Sequence, residues 1–262
     1  MKILIACEYS GRTRNAFAAL GHDVISADFE PAEDNSPYHY QGDCFDLIAD
    51  QQFDLMIAHP PCTYLSVSGL HWNTRGVIVG GKPRAEHTED ALRFVQRLMD
   101  VDIPRIAIEN PVSCISSRIR KPDQIIQPWM FGEDASKSTC LWLKGLPLLK
   151  PTNIIEGQLY CCGSKIENGD VRGCPNCNGD KKAKRIYGNQ TPSGQNNLGP
   201  SPTRWKERSR TFEGIAAAFA AQWGGQSVSD GSGCGTGEKA TRTRNSRLIR
   251  SGFCIAPVGW HR

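Results

Sequence analysis

A cysteine and a glutamate, each in a rigid sequence context, are the residues of this chain best suited to chemistry. Cys62 follows Pro60 and Pro61, which restrict the backbone before it, and Glu109 ends an apolar run and precedes Asn110. A thiolate is a nucleophile for an electron-poor ring carbon, and a carboxyl group can engage a ring nitrogen. The pair therefore fits addition of Cys62 to C6 of a cytosine while Glu109 engages N3.

The elements around these two residues follow a pattern of alternating strands and helices. Apolar runs predict strands over residues 2–7, 23–28, 54–58 and 105–108, and a helix is predicted over 12–20. This order predicts an α/β fold with parallel pairing through right-handed crossovers and ligands at the carboxyl ends of the strands. The pattern also predicts helices over 86–100 and 211–223, a strand over 139–143 and a functional loop over 60–83.

Four polar or turn features fall just after predicted strands, at Glu8, Asp28, Asp43 and Pro60. Because the carboxyl ends of parallel strands meet at one edge of a sheet, these residues are expected to belong to one site. The Cys62 loop follows one of these strands, so the nucleophile is expected at the same edge.

These motifs resemble those of the DNA (cytosine-5) methyltransferases, in particular the short enzymes of phages and prophages. Pro60-Pro61-Cys62 matches the nucleophile loop of the family, and Glu109-Asn110-Pro111 matches its Glu-Asn-Val motif with Pro in place of Val. The resemblance covers about residues 2–150 and 203–224. It implies a Rossmann-like S-adenosylmethionine-dependent methyltransferase fold, methyl transfer to cytosine C5, a role in DNA methylation or restriction-modification, and double-stranded DNA as substrate.

The resemblance also implies a site for S-adenosylmethionine. Tyr9-Ser10-Gly11 resembles the turn after the first strand, although it lacks the later glycines of larger enzymes. Gly42-Asp43 resembles a pair that contacts adenine, and residues 210–216 resemble a segment that closes the cofactor site in short phage relatives. The residues implied in cofactor binding are Glu8, Tyr9, Ser10, Gly11, Asp28, which would hold the ribose, Asp43 and Pro60.

One family motif, Gln-x-Arg-x-Arg, is absent from the chain. Lys137, just before the strand predicted over 139–143, is the best candidate for the positive charge near O2 of the cytosine. Arg118 and Arg120 are the alternatives. A lysine is a point charge and lacks the planar fork of arginine, so the replacement is imperfect.

A cluster of cysteines suggests a second type of site. The chain has 11 cysteines, and the pair Cys161-Cys162 and the motif Cys174-Pro175-Asn176-Cys177 bracket a glycine-rich stretch. Cys-x-x-Cys is a common half of a structural zinc site, so all four thiols are candidate ligands. A disulfide and unliganded thiols remain as alternatives.

The chain divides by composition into a catalytic core (1–150), a Cys-rich and basic target-recognition insertion (151–202), a returning helix (203–225) and a basic, disordered tail (226–262). Residues 180–210 hold eight basic and two acidic residues, which suits contact with phosphates. A solvated loop is the alternative interpretation. Base-edge contacts are expected nearby, from Asn189, Gln190, Gln195 and Asn196.

The sequence favours a cytoplasmic protein of a bacterial or phage-infected cell. Residues 1–6 resemble a strand and not a signal peptide, and no apolar run reaches about 18 residues. No membrane and no obligatory protein partner are expected.

Two alternative functions remain open, an RNA cytosine-5 methyltransferase and a non-catalytic DNA-binding relative. An amino-methyltransferase is disfavoured, because Cys62 stands where such enzymes have an aromatic residue.

Overall fold

A seven-stranded sheet forms the centre of the computed structural model, which describes residues 1–166, 174, 176–177 and 182–225. The predicted tail, 226–262, lies outside the described residues. The strands of the sheet, in chain order, are β1 (Lys2–Ala6), β2 (Asp23–Asp28), β3 (His39–Gln41), β4 (Leu55–Ala58), β7 (Ile106–Pro111), β8 (Gln124–Ile126) and β9 (Thr139–Lys144).

The spatial order of the strands is β3-β2-β1-β4-β7-β9-β8. The first five strands pair in parallel, whereas β9 runs antiparallel to both β7 and β8. Apart from this inserted antiparallel strand, the order is that of a doubly wound nucleotide-binding sheet. The predicted α/β, Rossmann-like fold class is therefore confirmed.

Helices cover both faces of the sheet. On one face α1 and α7 pack together over Ile3, Ile5 and Ile57, with Phe17 and Phe219 in the shared core. The opposite face carries α4. The helices are α1 (Arg12–Ala18), α2 (Cys44–Asp50), α3 (His71–Thr74), α4 (Arg84–Asp100), α5 (Ile115–Arg118), α6 (Arg204–Ser209) and α7 (Glu213–Trp223). Within the described part of the chain, none of them is long and apolar enough to cross a membrane.

Two sequence expectations for the sheet need correction. The strand predicted over 105–108 extends to Pro111, so Glu109 and Asn110 lie inside β7 and not after it. The reason is tertiary, because β9 pairs with every residue of β7 from Ile106 to Pro111. The stretch 29–41, predicted as loop, contains the short strand β3, which is polar and is held by pairing with β2.

The segment 60–83, predicted as a functional loop, contains short elements of secondary structure between β4 and α4. It contains a short 3-10 helix at Val67–Gly69, α3 and the hairpin of β5 (Ile78–Val79) and β6 (Lys82–Pro83). Buried Arg84 holds the start of this loop by donating to the Thr63 carbonyl, at 2.7 Å, and by lying over the Tyr64 ring. The loop that begins at Cys62 is therefore tied to the first turn of α4.

The Cys-rich segment forms a second, three-stranded sheet. Its strands are β10 (Gln158–Cys161), β11 (Ser164–Lys165) and β12 (Lys184–Ile186), in the order β11-β10-β12. Ile166, Cys161 and Cys174 form its small core. Directly after β12, the ring of Tyr187 stacks on that of Trp129, which lies between β8 and β9, with centroids 5.9 Å apart.

Replacement of Phe219 by Ala is expected to lower the free energy of unfolding by about 3–5 kcal/mol. Phe219 has no solvent exposure and stacks on Trp223 with ring centroids 4.7 Å apart, so truncation leaves a cavity between α7 and the sheet. Urea unfolding followed by circular dichroism measures the change. The matched control is Leu20→Ala, because Leu20 is 53% exposed; its effect should stay below about 0.5 kcal/mol, and equal losses would contradict this packing.

Candidate active site and cysteine cluster

The loop that carries Cys62 is fixed by hydrogen bonds on both sides of the cysteine. Before it, the carbonyl of buried Pro60 accepts a hydrogen bond from Asn110 Nδ2 at 2.7 Å. After it, the Cys62 carbonyl accepts from the amides of Leu65 and Ser66, at 3.1 and 2.9 Å. The thiol is only partly exposed, at the carboxyl end of β4.

Glu109 lies beside this loop and contacts a histidine. Its Oε2 is 3.0 Å from Nδ1 of His59, the residue directly after β4. Burial would raise the pKa of Glu109, but the hydrogen bond to His59 and the positive charge of Lys137 outweigh it, so the pKa is lowered. Glu109 is therefore a carboxylate at neutral pH, and the His59 ring N–H is the donor.

The Cys62 thiol has the opposite shift. Burial raises its pKa, the negative charge of Glu109 adds to this effect, and the positive charges of Lys137 and Arg208 oppose it without cancelling it. At neutral pH the thiol form dominates, and the thiolate depends on nearby cations.

The structure brings Lys137 close enough to act electrostatically on both Cys62 and Glu109. Its Nζ donates to the carbonyl of Arg208 at 3.1 Å, which holds the side chain toward α6. The two alternatives are engaged elsewhere. Arg118 forms an ion pair with Glu89 at 2.9 Å, and Arg120 donates to the Leu143 carbonyl at 3.0 Å.

The loop between β1 and α1 is shaped by Glu8. Its buried carboxylate accepts from the backbone amides of Thr13, at 2.7 Å, and Arg14, at 3.1 Å, so it caps the first turn of α1. Ser10 Oγ also points to this carboxylate, at 3.4 Å. Gly11 has a φ of 73°, and a Cβ there would collide with the guanidinium of Arg14. The loop therefore needs glycine at this position.

Two further carboxylates follow neighbouring strands. Asp28 ends β2, is buried, and accepts from the amide of Glu30 at 3.0 Å. Asp43 follows β3 and caps α2 by accepting from the amide of Phe45 at 3.0 Å. Both residues lie at the same edge of the sheet as the Glu8 loop and the Cys62 loop, and for Asp43 this position depends on β3, which was predicted as loop.

A C-terminal segment, residues 204–212, crosses this edge and contacts both halves of the site. Buried Tyr9 donates through its hydroxyl to the Lys206 carbonyl at 3.0 Å. Arg12 donates to the Thr211 carbonyl at 3.0 Å, and Thr211 Oγ1 is 3.5 Å from His59 Nδ1.

Sequence reasoning assigned no role to His59 or Arg208, and it named Thr211 only as part of the segment 210–216 that resembles one closing the cofactor site. These residues reach the site through contacts between parts of the chain that are far apart in sequence. The sequence offered one indication, which is that His59 directly follows a predicted strand.

The four candidate zinc ligands converge in space. The sulfur atoms of Cys161, Cys162, Cys174 and Cys177 all lie within 4.8 Å of one another, although the first two residues are adjacent in sequence. Cys162 has a positive φ of 51°, and its sulfur atom lies 3.9 Å from that of Cys161. Burial and then hydrogen bonds with the other thiols raise the pKa of Cys161 to about 12, so these thiols would ionise readily only around a cation.

Two of the four residues expected to contact base edges serve the fold. Asn189 accepts from the amide of Ser136 at 2.9 Å and donates to its carbonyl at 3.0 Å. Gln190 accepts from the amide of Tyr187 at 3.1 Å and donates to the Gly194 carbonyl at 3.0 Å. The side chains of Gln195 and Asn196 are exposed.

No protein-family model matches the chain, and no curated protein matches it. One similar solved structure is a proposed DNA modification methyltransferase encoded within an E. coli prophage, with a TM-score of 0.38 and 14% identity over 59% of this chain and 52% of that one. Another is WbdD with the kinase inhibitor LY294002, with a TM-score of 0.32 and 16% identity over 63% and 40%. The chain spans about half of the first structure and less of the second.

Alkylation of Cys62 by iodoacetamide is expected to have its pH midpoint above that of an ordinary thiol. Lys137→Gln should move the midpoint still higher, because Lys137 is the largest favourable charge acting on the thiolate. Peptide mass spectrometry at a series of pH values distinguishes Cys62 from the other cysteines. Lys144→Gln is the matched control, since Lys144 lies at the opposite end of β9. Equal midpoints in the two variants would contradict the assignment of Lys137 to the site.

Proposed function

We propose that this protein transfers a methyl group from S-adenosylmethionine to C5 of cytosine in double-stranded DNA. The observation that carries the proposal is the adjacency of the Cys62 loop and Glu109, joined by the hydrogen bond from Asn110 to Pro60. A nucleophilic thiol and a carboxylate on neighbouring strands, with Lys137 acting on both, match the requirements of addition to a pyrimidine ring.

In the proposed reaction, Cys62 attacks C6 and Glu109 engages N3. Addition at C6 makes C5 electron-rich, so that C5 can take up the methyl group as its bond to the donor sulfur breaks. Loss of the C5 proton to solvent then allows the C6–S bond to break, which releases Cys62. Lys137 stabilises the negative charge of the thiolate and then that on the ring near O2. The cytosine must leave the base stack to reach a thiol at the sheet edge, as in other enzymes that act on a DNA base.

The cofactor would supply the methyl group, and the residues at the edge of the sheet fit its polar parts. Asp28 offers a buried carboxylate at the end of β2 for ribose hydroxyls, and Asp43 lies one strand further along for the adenine. The turn from Tyr9 to Gly11 follows β1 at the same edge, and the positive φ of Gly11 lets the chain turn there into α1. Residues 204–212 would close this side.

A DNA substrate is supported by basic side chains on the same chain. Lys182 and Lys184 are exposed in the Cys-rich segment, whereas Arg185 pairs with Glu156 at 3.0 Å. Lys181, the first basic residue of the basic stretch 180–210, lies outside the described residues. Near the nucleophile, exposed Arg208 contributes positive potential at Cys62, which suits a site that receives a polyanion.

We further propose that the four-cysteine cluster holds a structural zinc ion. Four thiolates in tetrahedral arrangement are a usual zinc site, and sulfur atoms within 4.8 Å of one another can reach one ion. Purified protein should contain about one zinc per chain by elemental analysis, and Cys174→Ser should lose it. Cys114→Ser, which removes a buried cysteine outside the cluster, should keep the zinc. Equal zinc contents in these two variants would refute the site.

Trapping on DNA that contains 5-fluorocytosine tests the proposed reaction. Fluorine at C5 blocks the last elimination, so a denaturant-resistant protein–DNA adduct should accumulate in the presence of S-adenosylmethionine. Cys62→Ala should form none, whereas Cys114→Ala should form it normally, because Cys114 lies outside the proposed catalytic pair. Gel electrophoresis after denaturation measures the adduct.

The same assay separates the alternatives. An adduct on 5-fluorocytosine RNA alone would reassign the substrate to RNA. Absence of adducts on both polymers, with binding of S-adenosylmethionine shown by calorimetry, would favour a non-catalytic relative.

A further inference from the structure

His59 lies at the junction of three elements of the site. It is 9% exposed, and its Nδ1 is 3.0 Å from Glu109 Oε2. Its Nε2 is 3.4 Å from the hydroxyl of Thr13 on α1, and Nδ1 is 3.5 Å from the hydroxyl of Thr211. A buried histidine with partners at both ring nitrogens is held in one orientation.

The backbone fixes this position as well. The amide of His59 donates to the Ala6 carbonyl at 2.9 Å, which continues the pairing of β4 with β1. On the other side, Ala58 pairs with Ile108, so the next residues along the two strands are His59 and Glu109. Their contact follows from the sheet register and does not depend on a flexible loop.

The charge state of Glu109 creates a chemical requirement. Because its pKa is lowered, Glu109 is a carboxylate at neutral pH and has only acceptor oxygens. Such a group can accept from the amino group of a cytosine, but it has no proton for N3. Glu109 can therefore protonate N3 only if another group first gives Glu109 a proton.

We propose that His59 is the positioning residue for Glu109 and supplies the proton that N3 takes up during addition; this inference rests on the proposed cytosine-5 reaction. Cys62 first loses its proton to solvent. As its sulfur electron pair forms the bond to C6, the ring π electrons shift to N3, which takes a proton from the Glu109 carboxyl. Glu109 receives that proton from Nδ1 of protonated His59, which ends neutral. After methyl transfer the C5 proton is lost to solvent, its bonding electrons form the C5–C6 double bond, the C6–S bond breaks to release the Cys62 thiolate, and N3 returns its proton through Glu109 to His59.

The partner at Nε2 suits a ring that changes its protonation state. A hydroxyl can donate or accept, so Thr13 can bond to Nε2 in both forms of the ring. Among the described residues, the charged or titratable groups that act on this pair are Lys137, which acts on Glu109, and Cys62 and Cys140, whose pKa values Glu109 raises. None of these three groups is recorded within hydrogen-bond distance of the Glu109 carboxylate, whereas His59 is, at 3.0 Å.

The pH profile of adduct formation on 5-fluorocytosine DNA tests the proton supply. His59→Asn keeps an N–H near the place of Nδ1 but cannot carry a proton to Glu109. At pH 8 the variant should form the adduct about 10²-fold more slowly than the parent. At lower pH the loss should shrink, because Glu109 can then be protonated directly from solution.

A merely structural role of His59 would slow the reaction by the same factor at every pH, and that result would overturn the proton supply. His22→Asn is the matched control and should keep the parental profile, since His22 packs on Phe17 near the N-terminus and away from the site.

A titration of Glu109 itself tests the positioning role without any reaction. Protein labelled with ¹³C at glutamate carboxyls, with Glu109→Gln to identify the resonance, gives the midpoint for this residue. His59→Leu should raise that midpoint, because burial then acts without the largest opposing interaction. An unchanged midpoint would overturn the inference. If the midpoint moves but the parent forms no adduct with any nucleic acid, the cytosine-5 reaction has failed and the positioning role of His59 stands alone.

Discussion

The pairing of β4 with β7 is the constraint on which the site depends. This pairing places the turn at residues 60–62, after β4, next to Glu109 on β7. The hydrogen bond from Asn110 to the Pro60 carbonyl joins this turn to β7. Asn110 is 1% exposed, so water cannot replace this bond, and its loss would leave a buried carbonyl unsatisfied at a cost of about 1–3 kcal/mol. The Cys62 loop is thus held by the sheet before the cysteine and by its own turn after it.

Electrostatics add a second constraint, because two potential negative charges lie close together. Glu109 is kept ionised by His59 and Lys137, and its charge disfavours the Cys62 thiolate. One lysine opposes both charges, and Arg208 adds to its effect at the thiol. In the proposed reaction, the proton that His59 passes through Glu109 to N3 removes one positive charge from the protein while bond formation removes the negative charge of the thiolate, so the net charge of the protein does not change. This coupling explains why a histidine next to the carboxylate is chemically useful in this site.

Sequence reasoning succeeded where a signal is local and failed where it is tertiary. Apolar runs located β1, β2 and β4 within a residue, and their order gave the parallel sheet and the shared edge. The extension of β7 through Glu109 was not predictable from its own residues, because β9 provides the pairing. The contact of His59 with Glu109 follows from the pairing register of β4 and β7, which can be proposed once both strands are known. Nothing in the local sequence predicts the contact of Thr211 with His59.

The C-terminal segment unites the two halves of the site. Residues 204–212 accept from Tyr9 and Arg12 beside the β1–α1 loop, and the same segment accepts from Lys137 and approaches His59. The carbonyl oxygen of Arg208 therefore orients the Lys137 ammonium group, whose charge acts on the Cys62 thiol and on Glu109. In the proposed reaction, Lys137 would act as a flexible point charge where the arginine motif of the resembled family is missing.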